Sequence, residues 1–320
     1  MLFVAWIETA LIAAVDGIID RAKTKRSRPA VCAAEVLETR ALLTGAIPTA
    51  TPPIDILQPV ALTKNHPNIL TPGISGPFRP ADIQKAYGID QISYRGVAGN
   101  GAGQTIAIID AFNNPNIVSD VSTFSTAFGL PQFNGTGGPT FTVLNQNGST
   151  TSLPANASPS TGAWDSEEAL DVEWAHAIAP RANIILFEAN SAGDTDLFHA
   201  VSTAANYAGV SVVSMSFGSS EFSIEALFDS YFTTPDGHQG VTFLASTGDS
   251  DAPGEYPAYS PNVVAVGGTS LAVNSNGSYA SESAWGNVNT NTGGGGGVSL
   301  YESQPSFQSG NVNGLSSSHR

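Results

Sequence analysis

Bases and cysteines are what this sequence has least of. Cys32 is the single cysteine in 320 residues, so no intrachain disulfide forms and pairing says nothing about redox compartment. No His cluster lies beside it, so nothing supports a nucleophilic role for its thiol. Of the 12 Lys and Arg, only Arg181 and Arg320 follow Arg95, against nineteen Asp and Glu over the same stretch. Phosphate recognition needs clustered bases, so nucleic acid is not an expected partner. The histidines are scattered, without the spacing of a zinc site. Long apolar runs are also missing. Residues 2–15 are the most apolar stretch of the leader but contain Glu8, and a membrane span needs about 20 such residues; no stable span is expected.

What is present suits a folded domain. The chain is 41% hydrophobic and only 12% charged, with 33 Gly and 20 Pro, whereas disordered chains combine low hydrophobicity with high net charge. A shortage of bases also means few like charges to repel one another once the carboxylates are neutralised in acid. Three regions follow from composition: a leader over 1–45, a Pro/Thr-rich linker over 46–76, and a globular domain over 77–320. The leader holds a basic run, Arg21 to Arg28, and the phrase Leu37-Glu38-Thr39-Arg40-Ala41-Leu42-Leu43. That phrase resembles an N-terminal motif of large exported bacterial proteins, which implies a secreted or cell-envelope location.

Within the domain, strands and helices alternate. Gln104–Ala111 is a continuous apolar run of the kind a buried parallel strand shows. Further strands are expected at Asn183–Glu188, Val210–Ser216, Val241–Ser246 and Val263–Val266. Helices are expected at Asn114–Gly129, ending on glycine, at Ser166–Ala179, stopped by Pro180, at Thr195–Tyr207 and at Ile224–Phe232. Such alternation predicts an α/β fold with a predominantly parallel sheet and helices on both faces.

Two carboxyls stand out. Glu167 and Asp171 are four residues apart on the predicted helix SEEALDVEWAHAIA, so they share one face. Leu170, Val172 and Ala175 give that helix apolar surroundings. Carboxyls held close in a partly dry site cannot both ionise easily, and one so tuned serves as a general base in acid. A solvated helix face is the other reading of the same spacing. A second constellation has the chain order of a subtilisin-type triad: Asp110, His176 and Ser270. Against it, His176 lies in AHAIA without flanking glycines. Gly99-Asn100-Gly101-Ala102-Gly103 precedes its strand rather than following it, which argues against a dinucleotide fingerprint.

Longer blocks carry more information than either constellation. Pro77–Ile89, Gly99–Pro131, Glu167–Ala189, Ser211–Glu221, Val241–Ser250 and Tyr256–Leu271 resemble, in order and spacing, the catalytic domain of the sedolisin family, the serine-carboxyl peptidases of subtilisin-like fold. The resemblance runs from about residue 77 to 308. It implies a serine-type endopeptidase acting on protein or peptide substrates in acid, with Glu167 as the base that activates a serine and Asp171 orienting it. It also implies Asp249 as an oxyanion donor that must be protonated to donate, and Ser216, Phe217 and Gly218 as an edge that pairs with extended substrate. Phe217 has a plain alternative as core packing. Glu168 and Glu173 fall out of register and are left aside.

The same resemblance places the nucleophile in a later Gly-Thr-Ser phrase than Gly268-Thr269-Ser270, since Ser270 precedes Glu282–Trp285 and the five-glycine run Gly293–Gly297. The expectation is therefore a domain truncated at its C-terminus, with no nucleophile in the chain. The family's calcium site falls in that later segment, so no cofactor is assignable here. Two alternatives stay open: a non-catalytic secreted module retaining a peptide-binding cleft, and the subtilisin-type triad above.

Overall fold

The computed structural model describes the backbone of residues 58–59 together with residues 78–158, 160–161, 164–287, 292–308 and 320. The leader, its Leu37–Leu43 phrase, Cys32 and all but two residues of the linker lie outside the described residues.

The centre of the domain is the strand Thr105–Ala111 (β1). Ile106, Ile108 and Ile109 suit a pleated, doubly covered strand, and every residue after Thr105 is buried. Helix Pro80–Tyr87 (α1) precedes β1, and helix Ile117–Phe128 (α2) follows it, closed by Gly129 in the left-handed region at φ 69°. Next come strand Phe141–Asn145 (β2), helix Trp164–Ile178 (α3), strand Asn183–Ala189 (β3) and helix Asp194–Ala205 (α4). Strands Val212–Met215 (β4), Phe217–Gly218 (β5), Thr242–Ser246 (β6) and Val264–Val266 (β7) follow. The chain then forms an antiparallel hairpin from Thr269–Val273 (β8) and Tyr279–Ala284 (β9).

Six strands form one sheet in the order β7-β6-β4-β1-β3-β2, with every neighbouring pair parallel. Alternation along β1 divides the core. Ile106 and Ile108, with Ile184, Leu186, Val212 and Leu244, pack towards α1, α2 and α3. Ala107 and Ile109, with Phe187, Val213 and Met215, pack towards α4. Helices thus cover both faces, as a parallel sheet requires. The β1–α2–β2 connection leaves the sheet centre in one direction and the β3–α4–β4 connection in the other. Loops after β1 and β3 therefore diverge at the carboxyl ends of the strands, the usual ligand position of such sheets.

One expected helix is absent. Residues 224–232 form two 3-10 turns, Glu225–Leu227 and Asp229–Phe232. The Asn262 side-chain amide donates to the Asp229 carbonyl at 3.0 Å, occupying an acceptor that a continuing helix would use. Phe228, Tyr231 and Phe232 anchor instead around Phe198 of α4, with ring centroids 5.6–5.7 Å from it. Phe198 is 2% exposed, so Phe198→Ala should cost about 3–5 kcal/mol. A denaturant midpoint unchanged by that substitution would contradict the packing.

Candidate active site

Helix α3 is buried on almost every side, and its acidic first turns point into the protein. Glu167 is 6% exposed; Glu168 and Asp171 are fully buried. Burying carboxylates is costly unless they are paired or neutralised. Here no base faces them; what faces them is more acid. Asp110, at the end of β1, is fully buried, and none of the side-chain oxygens of Asp110, Glu168 or Asp171 has a hydrogen-bond partner.

Burial raises the proton affinity of Glu167 well above the carboxylate range, and the charges of Asp171, Asp110 and Asp249 raise it further. Asp110 is raised by burial, then by Asp171 and Glu188. Burial pushes Asp171 up to about 7, with the Ser216 hydroxyl opposing the rise, although no hydrogen bond of good geometry closes between the two side chains. Glu167 thus senses Asp171, Asp110 and Asp249, which come from α3, the end of β1 and the loop after β6.

The loop carrying Asp249 is built from backbone. Gly248 has φ +94°, and a Cβ there would lie 2.6 Å from the Glu255 carboxyl carbon. The glycine run folds onto the same loop: Gly295 N–H donates to the Gly248 carbonyl at 3.0 Å and Gly293 N–H to the Asp249 carbonyl at 2.9 Å. A Cβ on Gly295 would sit 1.8 Å from the Thr247 carbonyl oxygen, so only glycine permits this approach. The result holds Asp249 with both carboxyl oxygens buried and unpartnered. Burial, and then the Glu255 charge, push its pKa up to about 7. Gly295→Ala should detach the glycine loop and lower stability by about 1–3 kcal/mol. Amide exchange at residues 247–249 checks this: unchanged protection would count against the clamp.

Beside this cluster, Ser216 is nearly buried and Phe217 fully buried within the core. Of the two roles open to the Phe217 ring, core packing is the one its burial fits. The backbone of β5 nevertheless pairs antiparallel with the two-residue strand Gln58–Pro59, Gly218 opposite Gln58 and Phe217 opposite Pro59. Gly218 is packed against the Glu255 side chain, where an added Cβ would meet Oε2 at 2.6 Å.

The subtilisin-type triad is not assembled. His176 is fully buried on α3 with Nε2 2.8 Å from the Pro131 carbonyl, its ring centroid 4.1 Å from that of Phe133. Burial lowers its pKa, and the neighbours of Asp110 are carboxyls rather than imidazole. Ser270 lies in the β8–β9 hairpin opposite Ser283, and no hydrogen bond joins it to any of these acids among the described residues. The neighbouring Thr269 hydroxyl is engaged by Glu282 at 2.6 Å. A triad needs its histidine between acid and serine; helix α3 points His176 elsewhere.

Sequence reasoning passed over two acids that the fold adds. Glu168 was set aside by helical register, yet it faces Asp110 and Glu188. Glu188, fully buried, went unnoticed, though the signal was there: the runs at 104–111 and 183–188 both carry an acid at the carboxyl end. No group of three or more His, Cys, Asp or Glu among the described residues is arranged to hold a metal ion, and no described helix is long and apolar enough to cross a membrane.

Fold and site define a class: a subtilisin-like α/β domain whose cleft is furnished with carboxyls instead of a histidine. Comparison with known proteins agrees. The sequence model of the Subtilase family matches residues 149–303. Sedolisin of Pseudomonas sp. (strain 101) is 30% identical over 232 residues, covering 65% of this chain and 38% of sedolisin. Kumamolisin of Bacillus sp. (strain MN-32) is 30% identical over 251 residues, covering 72% of this chain and 41% of kumamolisin. The structure of Pseudomonas sedolisin, a serine-carboxyl proteinase complexed with two molecules of pseudo-iodotyrostatin, superposes with a TM-score of 0.61 at 27% identity. That match covers 78% of this chain and 69% of the other. The chain belongs to the sedolisin family, and it spans 38% and 41% of the length of these two curated relatives.

Proposed function

We propose that this site is that of a serine-type endopeptidase working on protein or peptide substrates in acid. The observation that carries the reading is the convergence of Glu167, Asp171 and Asp249 at the carboxyl ends of the strands, with mutual electrostatic influence and no base among them. Coupled carboxyls lose their protons one at a time. The first carboxylate formed at Glu167 takes the proton of the attacking serine hydroxyl, and Asp171 holds it in place with the proton that remains. Attack turns the scissile carbonyl into an oxyanion, to which protonated Asp249 donates a hydrogen bond. Glu167 then returns its proton to the departing amine. Asp249 keeps its proton only below about pH 7, which is why such chemistry runs in acid.

The backbone at Phe217–Gly218 serves as the substrate edge in this reading. Its antiparallel pairing with residues 58–59 supports that use, since an extended peptide would add the same hydrogen bonds. The acyl-accepting serine belongs to a segment outside residues 1–320, and Ser270 is not it. Hydrolysis of an unfolded protein at about pH 4 by the chain joined to the serine-bearing segment of a family member, compared with and without Glu167→Gln, tests the reading; hydrolysis indifferent to that substitution contradicts it.

A further inference from the structure

The substrate edge and the Asp249 loop each carry a glycine, and both glycines are packed on one and the same side chain. A Cβ added to Gly218 would lie 2.6 Å from Glu255 Oε2 and 2.9 Å from Glu255 Cβ; one added to Gly248 would lie 2.8 Å from Oε1 and 2.6 Å from Cδ. Non-bonded carbons settle at about 3.5–4.0 Å, so neither position has room for a side chain while Glu255 is there. The Glu255 carboxyl fills the gap between the two backbones, one oxygen towards each.

Nothing polar holds that carboxyl in place. Glu255 is half-buried, and neither of its oxygens has a hydrogen bond or ion pair among the described residues. Backbone fixes it instead. Tyr256 and Ser219 exchange N–H···O bonds of 2.9 Å in both directions, which ties the residue after Glu255 to the residue after Gly218. On the other side, the Gly254 N–H donates to the Tyr259 hydroxyl at 2.8 Å, and that hydroxyl donates to the Gly296 carbonyl at 3.3 Å. Gly295, next to it, is bonded to the Gly248 carbonyl. Glu255 thus stands on backbone shared by the substrate edge, the glycine run and the Asp249 loop.

We propose that Glu255 is a positioning residue for Asp249, a spacer whose carboxyl sets the separation between the substrate edge and the oxyanion loop. The inference rests on the peptidase reading only for what Asp249 does. The spacer also carries charge. Among the described residues Asp249 is faced by Glu255 from its own loop and by Glu167 from α3, and by no base. Asp251 turns instead to Gly293, where an added Cβ would meet its carboxyl carbon at 3.7 Å. Burial raises the proton affinity of Glu255 as well, but Glu255 keeps one side to water while both Asp249 oxygens are shut away from it. Glu255 therefore ionises first, and its charge opposes the ionisation of Asp249. The group that spaces the loop thus also keeps on Asp249 the proton that an oxyanion donor needs.

Two variants of the full chain separate spacing from charge. Glu255→Gln keeps the shape and loses the charge; Glu255→Ala loses both. In Glu255→Gln the Asp249 midpoint, followed through its carboxyl carbon by NMR, should fall by about half a pH unit, roughly a threefold change in proton affinity. Exchange of the Ser219 and Gly295 amides, which are bonded across the two sides of the spacer, should stay at the parent rate. In Glu255→Ala both amides should exchange about tenfold faster or more. An Asp249 midpoint unmoved in Glu255→Gln, or amides no faster in Glu255→Ala, would overturn the proposal. Should Glu255→Ala not fold, Glu255→Gln still decides: an unmoved midpoint, or amides loosened although the shape is kept, counts against it. None of these readouts needs substrate, so a chain that behaves as expected yet, joined to the serine-bearing segment, cleaves nothing counts against the peptidase reading alone.

Discussion

Raising the pH from about 4 to about 8 should lower the melting temperature of this chain by roughly 10–20 °C. The sign follows from which state holds the protons. Burial raises Asp171 from 3.8 to about 7, Glu188 from 4.5 to about 8 and Glu168 from 4.5 to about 11. Below about pH 4 these groups are protonated in both the folded and unfolded chain and contribute nothing to pH dependence. Above that value the unfolded chain releases its protons while the folded chain retains them, so stability falls until the folded-state values are passed. Taken singly, each group costs about 4 kcal/mol by pH 8. Because they share neighbours and protons the costs are not additive, and about 5 kcal/mol for the set corresponds to the stated shift. Glu168→Gln should flatten the alkaline limb. Scanning calorimetry from acid to neutral pH reads both effects, and a stability maximum near neutrality, where many proteins have theirs, would contradict the buried-acid account.

The second large effect concerns the serine. A base and an oxyanion donor do not supply the acyl-accepting oxygen. The 320-residue chain should therefore leave unfolded protein intact at about pH 4, apart from residual oxyanion-site catalysis far below normal turnover. Fused to the serine-bearing segment of a family member, it should gain peptide hydrolysis by about 10³-fold or more. Ser270→Ala should not change that gain, because Ser270 is paired opposite Ser283 in the β8–β9 hairpin and the proposed nucleophile is another serine. Strong cleavage by the 320-residue chain that vanishes in Ser270→Ala would show that the hairpin serine does reach the carboxyls.

Much of the sheet was legible because a parallel strand buried on both faces writes itself as an unbroken apolar run. The runs at 105–111, 183–189, 212–215 and 242–246 are all central in the sheet, and all were readable. The edge strand at 141–145, with two residues only half-buried, lacks that signature. The segment 224–232 carries helical spacing, yet a side chain 33 residues away takes one of its carbonyls, which no local pattern reveals. The site divides the same way. Spacing on one helix exposes Glu167 and Asp171, but Glu188 joins them only through the register of β3 on β1. Likewise the glycine run reads as a loop, and only its bonds to Gly248 and Asp249 show what it holds in place.

The central claim is that a carboxylate at Glu167 is the base of an acid peptidase. It is tested most directly by the hydrolysis rate of unfolded protein at about pH 4, in the chain carrying the serine segment, with Glu167 and with Glu167→Gln. The account predicts a loss of at least about 10²–10⁴-fold in turnover with little change in melting temperature, since Gln fills the same volume as Glu. A Glu167→Gln protein that cleaves at the parent rate would contradict it.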